Sequence, residues 1–449
     1  MNNSIFSPRG SASQYKRILK LSLPLSLEYL SVTSVTVIDN LTVGKLGPIA
    51  VSVAAAAGGI QIFLQFFLLG CESVISTLVS RHIGEEKEKR ARALAALGLI
   101  FSVISASALA GACLIMPKSI LSLFTSDELI IEDGVSFLRL CAASFPIYAA
   151  ASSLLASLRG MGEAKLALYS SLSPLILKLI LNPLLVFRGL FSDGMGLRGA
   201  ATSTLITRTV LLILLIIIYI IKGRKKGDLG SFRVKDCAFE FFNYGAPIIL
   251  SQTVWAISTL ISTSVIGSLG REALSSYGIS TSINSLAFAL AMGGSSGVGI
   301  TVSRLAGEGD KESAYSLSKK VPLIFMLIGC LTSALIYIIR GPYLLLFSVG
   351  TEVIRGVHLM TAALAIIAPF TAYQSVSLMG FIKSGGQSRF ILITEVLSVL
   401  LLILPLTLLA KRLALPPPVV FLATKADQPI KCIVAYLKIK KRDFISDKI

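Results

Sequence analysis

Long apolar runs alternate along the whole chain with short breaks carrying Gly, Pro, Lys and Arg. A helix crossing the hydrocarbon core of a bilayer takes about 20 predominantly apolar residues. By that measure the pattern predicts twelve helices, over 16–43, 49–80, 93–116, 134–158, 166–187, 197–222, 243–268, 276–303, 319–340, 357–382, 389–410 and 417–437. Most lack the polar stripe of a surface helix, as expected of helices surrounded by lipid or protein. The breaks have turn chemistry: Gly47-Pro48, Met116-Pro117, Gly341-Pro342 and Pro416-Pro417-Pro418. The twelfth run is the least apolar, since it contains Lys425, Asp427 and Pro429.

Composition turns this pattern into a class. Of 449 residues, 54% are hydrophobic and 15% charged, whereas soluble proteins carry about 25% charged residues. Twelve spans and their loops leave no stretch for a soluble domain, which excludes a cytosolic enzyme and a secreted domain. The first apolar run continues to Val43 without a small-residue cleavage pattern, so it is expected to be a retained helix. The formal charge is +18, which in a soluble protein would point to nucleic acid. Here the basic residues sit mostly in short loops, and no nucleic-acid partner is expected. With the N-terminus placed inside, 28 of the 42 Lys and Arg fall on the cytoplasmic side, nine outside and five within helices. The asymmetry predicts a multi-pass protein of the cell (plasma or inner) membrane with both termini cytoplasmic. Six cysteines show no C-x-x-C spacing, and the histidines are His82 and His358 alone. No metal site and no cofactor are expected.

The chain also matches itself at a shift of 223 residues. Pro24 aligns with Pro247, Gly44 with Gly267, Gly70 with Gly293, Ser80-Arg81 with Ser303-Arg304 and Gly84-Glu85 with Gly307-Glu308. Of the 62 ungapped pairs beginning at Pro24, 17 are identical, against about five for chance at this composition. After a one-residue slip, Arg159-Gly160-x-Gly162 meets Lys383-Ser384-x-Gly386. Six helices per repeat return the chain to the same side, so the repeats are parallel and related by an axis along the membrane normal. The fold class is therefore an all-α membrane protein: twelve transmembrane helices in two six-helix bundles with pseudo-two-fold symmetry. The expected boundaries are an N-terminal lobe at 1–221, a cytoplasmic linker at 222–238 and a C-terminal lobe at 239–449.

Several short motifs recur in a recognisable order. The first helix reads Pro24, fourteen residues, Asp39, then Val43-Gly44-x-Leu46-Gly47. The second ends Thr77-Leu78-Val79-Ser80-Arg81-x-x-Gly84, and the fourth ends Leu158-Arg159-Gly160-Met161-Gly162-Glu163. The fifth and sixth carry Asn182-Pro183 and Gly199-Ala200-Ala201-Thr202-Ser203-Thr204. In this order, and with the half repeat, they resemble the multidrug and toxic compound extrusion (MATE) transporters over about residues 16–390. The resemblance implies a drug/cation antiporter of two six-helix bundles acting as a monomer. It further implies a cation site in the N-terminal lobe that uses an acid at the position of Asp39. Helices seven and ten carry no acid, so the C-lobe cation site of another branch is not expected, and the likeness is to the DinF-like branch.

The intramembrane charges are the candidate chemistry. Asp39 lies in a run of Val, Thr, Ile and Leu. It serves either as the coupling acid or as a structural carboxylate in a hydroxyl network. Its repeat mate is Ser262, so the acid exists in one lobe only. Glu28, eleven residues earlier, returns to nearly the same helix face; it lines the same cavity or sits at the cytoplasmic entrance. Lys178 and Asn182 are four apart and share one face of the fifth helix. MATE proteins usually have asparagine and aspartate at these two places, so a conventional sodium site is in question. Lys178 either pairs structurally with a carbonyl or acid, or pairs with Asp39 in the place of a sodium ion. Thr202 and Thr204 are candidates for the cavity lining or for ordinary helix packing. Pro24 is a candidate hinge.

These residues predict a secondary antiporter that sits in the lipid bilayer and exports amphipathic, often cationic, small molecules in exchange for protons, or else sodium. The alternative is a flippase of lipid-linked or polysaccharide precursors. That function needs an arginine-rich cavity, and intramembrane cations here are few and scattered. An intramembrane enzyme would need paired acids or a Ser/Lys or His site, and no such set is present.

Overall fold

A computed structural model describes residues 11–122, 127–187, 194–223, 234–345, 347 and 349–446. Most of the linker expected at 222–238 lies outside the described residues. The described chain is helical: α1 (Ser11–Gly44), α2 (Pro48–Gly84), α3 (Glu88–Ile115), the short α4 (Pro117–Leu121), α5 (Glu128–Ala143), α6 (Phe145–Gly160), α7 (Ala164–Val186) and α8 (Gly196–Gly223). The second repeat runs through α9 (Val234–Gly267), α10 (Arg271–Gly307), α11 (Lys311–Leu344), α12 (Thr351–Gln374), α13 (Ser388–Ser398), α14 (Leu404–Arg412), α15 (Pro417–Ala423) and α16 (Asp427–Lys440). A π-helical stretch, Ser375–Lys383, prolongs α12, and a second, Val399–Ile403, joins α13 to α14.

Among the described residues, eleven helical segments are long and apolar enough to cross a membrane. The expected helix at 417–437 is instead two helices, α15 and α16, parted at 424–426. Thr424, Lys425 and Asp427 put polar groups at the break. Pro429, in the first turn of α16, has no N–H to offer the carbonyl of Lys425. The fourth span is also interrupted, at Ser144 ahead of Phe145-Pro146.

The duplication is visible in the element bounds. α1 and α9 end at matching residues, Gly44 and Gly267, and α2 and α10 are both 37 residues long. Each pair is offset by the same 223 residues, and Pro24 and Pro247 occupy matching interior positions.

The described chain clusters into two compact units. One comprises Ser31–Val79 and Glu88–Phe241; the other comprises Met1–Leu30, Ser80–Lys87 and Phe242–Ile449. The first half of α1 thus packs with the second unit. In the first unit, Leu64, Leu68, Ala106, Leu138, Phe145 and Ala149 form a buried apolar core. A buried pair, Arg159 Nη1 to Glu72 Oε2 at 3.1 Å, ties α6 to α2. In the second unit, Val298, Leu305, Phe325, Val376, Phe381 and Phe444 make the corresponding core.

Small residues allow close helix approach in the second unit. A Cβ on Gly293 would lie 2.3 Å from Ser26 Cα, and one on Gly297 would lie 2.7 Å from Ser22 Cα. The hydroxyls of Ser22 and Ser26 donate across this contact to Gly294 O and Leu290 O, at 3.1 and 2.7 Å. A Gly-x-x-x-Gly face with serine hydrogen bonds is a common way for apolar helices to associate in lipid.

Candidate functional site

Three helices of the first unit deliver one polar cluster. α1 contributes Asp39 and, three residues on, Thr42. α7 contributes Lys178 and Asn182, and α8 contributes Ser203 and Thr204. α7 and α8 come together because Gly199 has no side chain: a Cβ there would lie 2.3 Å from Leu185 O. The same carbonyl accepts from Met195 N at 2.9 Å. α1 is pinned to α7 by Ser31 Oγ, which donates to Ser171 O at 3.0 Å.

Lys178 Nζ donates to Asp39 Oδ1 at 2.7 Å and to Thr204 Oγ1 at 2.6 Å. Asn182 Nδ2 donates to the same Asp39 oxygen at 3.0 Å and to Thr42 Oγ1 at 3.1 Å. The Asn182 carbonyl oxygen accepts from Ser203 Oγ. Both threonine hydroxyls spend their own protons within their helices, Thr42 on Ile38 O and Thr204 on Ala200 O. They therefore act as acceptors toward the cluster. Every polar group has a direction, and the donors converge on one carboxylate oxygen.

The pair is asymmetric in access. The Lys178 side chain keeps 1% of its exposure and that of Asp39 keeps 29%. The pair is therefore open at the carboxylate and closed at the ammonium. A charge buried in an apolar setting is sustained only by such a partner, so any event that neutralises Asp39 deprives Lys178 of its counter-charge.

The sequence-predicted residues sort as follows. Asp39, Lys178, Asn182 and Thr204 meet in the cluster. Thr202 does not join it; its hydroxyl returns to Arg198 O at 2.9 Å. Glu28 is buried and belongs to the other unit, about 16 Å along α1 from Asp39 at 1.5 Å per residue. Pro24 lies within an unbroken α1. Ser203 and Thr42 were not singled out from the sequence. The only signal for Thr42 was its place one turn beyond Asp39, and serine or threonine in an apolar helix most often bonds its own backbone. Arg208 makes no hydrogen bond to the cluster; its Nη1 donates to Ser144 Oγ at 2.6 Å, and the Tyr148 ring lies 4.4 Å away.

A second buried ion cluster occupies the second unit. Lys431 Nζ lies 2.8 Å from Glu395 Oε2 and 2.7 Å from Asp427 Oδ2, and Gln428 Nε2 donates to both Asp427 oxygens. Glu395 is thus paired, and Asp427 takes Lys431, one turn on, in preference to Lys425.

Comparison with known proteins gives these clusters a setting. The MatE family model matches residues 24–184 and again 247–409, one copy in each repeat. A Photorhabdus laumondii protein named "Probable multidrug resistance protein NorM" is 22% identical over 401 residues, 88% of this chain and 87% of its own length. "Probable multidrug resistance protein YoeA" of Bacillus subtilis is 23% identical, covering 78% of this chain and 77% of its own. A Vibrio cholerae MATE transporter, VcmN, has the same fold, with a TM-score of 0.86 at 18% identity over 96% of this chain and 97% of that one. An outward-facing multidrug resistance MATE family transporter gives a TM-score of 0.85 at 19% identity over 96% of each chain.

Proposed function

The chain belongs to the MatE family, and from that premise we propose that it is an antiporter. It exports amphipathic, often cationic, small molecules across the cell membrane and is driven by protons entering through Asp39. Family relatives named for multidrug resistance support the substrate class. The observation that carries the coupling is the 2.7 Å contact of Lys178 Nζ with Asp39 Oδ1. With an ammonium already on the carboxylate, a sodium ion has no vacant charge to fill, and the exchangeable cation is the proton.

The cycle follows from the hydrogen bonds. Unprotonated Asp39 holds Lys178 and Asn182, and a cationic substrate competes for the same carboxylate from its accessible side. A proton on Asp39 removes the negative charge, releases the substrate, and leaves Lys178 on Thr204. The loss of the ion pair frees α1 from α7 and α8, with Pro24 as the bend point and Glu28 on the path. The excess of Lys and Arg on one side supports cytoplasmic termini.

Efflux from vesicles with one gradient imposed at a time tests this reading. Collapse of the pH gradient is expected to stop uphill export, and removal of sodium to leave it unchanged. Asp39→Asn is expected to express and lose uphill export, while Lys178→Ala changes the pH dependence of the rate. Export that needs sodium and ignores the pH gradient overturns the coupling. Rate and pH profile unaltered in Lys178→Ala assign that lysine to structure alone. A C-terminal reporter active only outside the cytoplasm overturns the orientation.

A further inference from the structure

Arg208 is a cation without an acid of its own. It lies near the middle of α8 (Gly196–Gly223), about 18 Å from the nearer end at 1.5 Å per residue. Neither end is within reach of an arginine side chain, so the guanidinium cannot snorkel to water along the helix. Its surroundings orient it but are neutral. Nη1 donates to Ser144 Oγ at 2.6 Å, and the guanidinium carbon lies 4.4 Å from the centre of the Tyr148 ring. Ser144 spends its own proton on Cys141 O, at 2.7 Å. The other N–H groups of Arg208 have no hydrogen-bond partner among the described residues.

The acids paired inside this unit are spoken for. Asp39 holds Lys178, Glu72 holds Arg159 and Glu240 holds Arg90. The charge of Asp39 also reaches Arg208, and Arg208 and Lys178 repel each other. One carboxylate therefore faces two cations. Thr204, which accepts from Lys178, is four residues before Arg208 and on the same face of α8. The surplus positive charge thus stands one helical turn, about 6 Å, along α8 from the pair at Asp39. A cation in the membrane interior is costly without a counter-charge. The planar fork of a guanidinium matches a carboxylate, which takes two parallel hydrogen bonds from it.

We propose that Arg208 is the docking point for an acid group on the exported molecule, so that the preferred substrates are zwitterionic amphiphiles, with a carboxylate on Arg208 and a cationic group at Asp39. This rests on the efflux function proposed above and narrows its substrate class. The carboxylate end orients the molecule. The cationic end competes with Lys178 for Asp39 and is the part that a proton dislodges. A molecule with a cationic group alone meets the charge of Arg208 uncompensated and binds more weakly.

Two dyes make the test. Rhodamine 110 and its methyl ester, rhodamine 123, share one cationic ring system and differ in a free carboxylate. Binding of each to purified full-length protein in nanodiscs at neutral pH is read by fluorescence anisotropy, with empty nanodiscs as the blank. Wild type is expected to bind the acid about tenfold more tightly than the ester, the factor that one charged hydrogen bond supplies. Arg208→Gln is expected to abolish that preference, with the acid weakened and the ester unchanged or tighter. Arg208→Lys keeps the charge without the fork; it is expected to cut the preference several-fold, and it serves if Arg208→Gln does not fold. Asp39→Asn is expected to weaken the ester. An ester indifferent to Asp39 counts against the proposed cationic contact, while the preference for the acid is the measure of Arg208. Equal affinities in wild type, or no saturable binding of the acid, overturn the inference, as does a preference unchanged in both Arg208 variants.

Discussion

Ser203 and Thr202 are adjacent on α8 and have opposite surroundings. Ser203 is fully buried and supplies the one donor on the Asn182 carbonyl oxygen among the described residues. Thr202 is half-buried and bonds its own helix. Ser203→Ala strands a buried amide oxygen, at a cost of about 1–3 kcal/mol, and leaves Asn182 free to turn its amide away from Asp39. Thr202→Ala should fall within about 0.5 kcal/mol of wild type. Thermal unfolding of the two variants in detergent checks the difference, and equal transitions would remove Asn182 from the ordered network. A pH effect belongs to Glu85, just beyond the end of α2. Burial works against its charged form. The hydrogen bond from Lys87 and the positive charges of His82, Lys87 and Arg81 outweigh that and hold the carboxyl below its ordinary value of 4.5. A depressed acid adds stability above that value and loses it as pH falls through the folded one. The thermal transition of wild type should therefore drop more steeply below pH 4.5 than that of Glu85→Gln; parallel curves would refute the pairing. At this scale the sequence carried the charged residues well, because an ion in an apolar run is conspicuous. It could not carry the hydroxyls, since Ser and Thr recur in nearly every helix. It could not pair Glu395 with Lys431 either, since 36 residues separate them and only the fold brings them together.

Helices of this chain are told apart by where they have no side chain. Gly58 on α2 has nothing within 4 Å of a would-be Cβ, whereas Gly297 on α10 would put one 2.5 Å from Ser22 Oγ. Gly58→Ala should stabilise by about 0.5–1 kcal/mol, since alanine loses less backbone entropy in a helix. Gly297→Ala should destabilise by about 1–3 kcal/mol through forced separation of α1 and α10. The two opposite shifts in thermal transition check the contact, and shifts of the same sign would count against it. Hydropathy located the spans but not their ends. The third and eighth helices, expected at 93–116 and 276–303, begin at Glu88 and Arg271 instead. Their charged end turns are helical yet lie beyond the apolar stretch, and apolarity marks the membrane rather than the helix. The twelfth segment shows the converse error. Its mean apolarity allowed a span, but Thr424, Lys425, Asp427 and Pro429 concentrate polarity and a missing N–H in one turn, and the helix parts there.

Duplication governs the molecule as a whole, and one crossing displays it. At the end of α2 a Cβ on Gly84 would lie 2.3 Å from Arg304 O; at the end of α10 a Cβ on Gly307 would lie 2.1 Å from Arg81 O. Each glycine admits the carbonyl of the other repeat's arginine. Each arginine also pairs with the glutamate one turn on, Arg81 with Glu85 at 3.5 Å and Arg304 with Glu308 at 3.3 Å. These three residues in each repeat were legible within the Ser-Arg-x-x-Gly-Glu match, but not as partners across a pseudo-two-fold axis, because identity at a fixed shift says that two segments are alike and nothing of whether they touch. The crossing makes a symmetric prediction. Gly84→Ala and Gly307→Ala should each lower stability by about 1–3 kcal/mol, since a backbone oxygen cannot swing aside as a side chain can. The two effects should agree within about 0.5 kcal/mol, and the double variant should lose less than their sum, because the first methyl group already opens the crossing for the second. Thermal unfolding of the three variants supplies the cycle. A silent substitution at either glycine, or strict additivity of the two, would mean that the repeats do not share this contact.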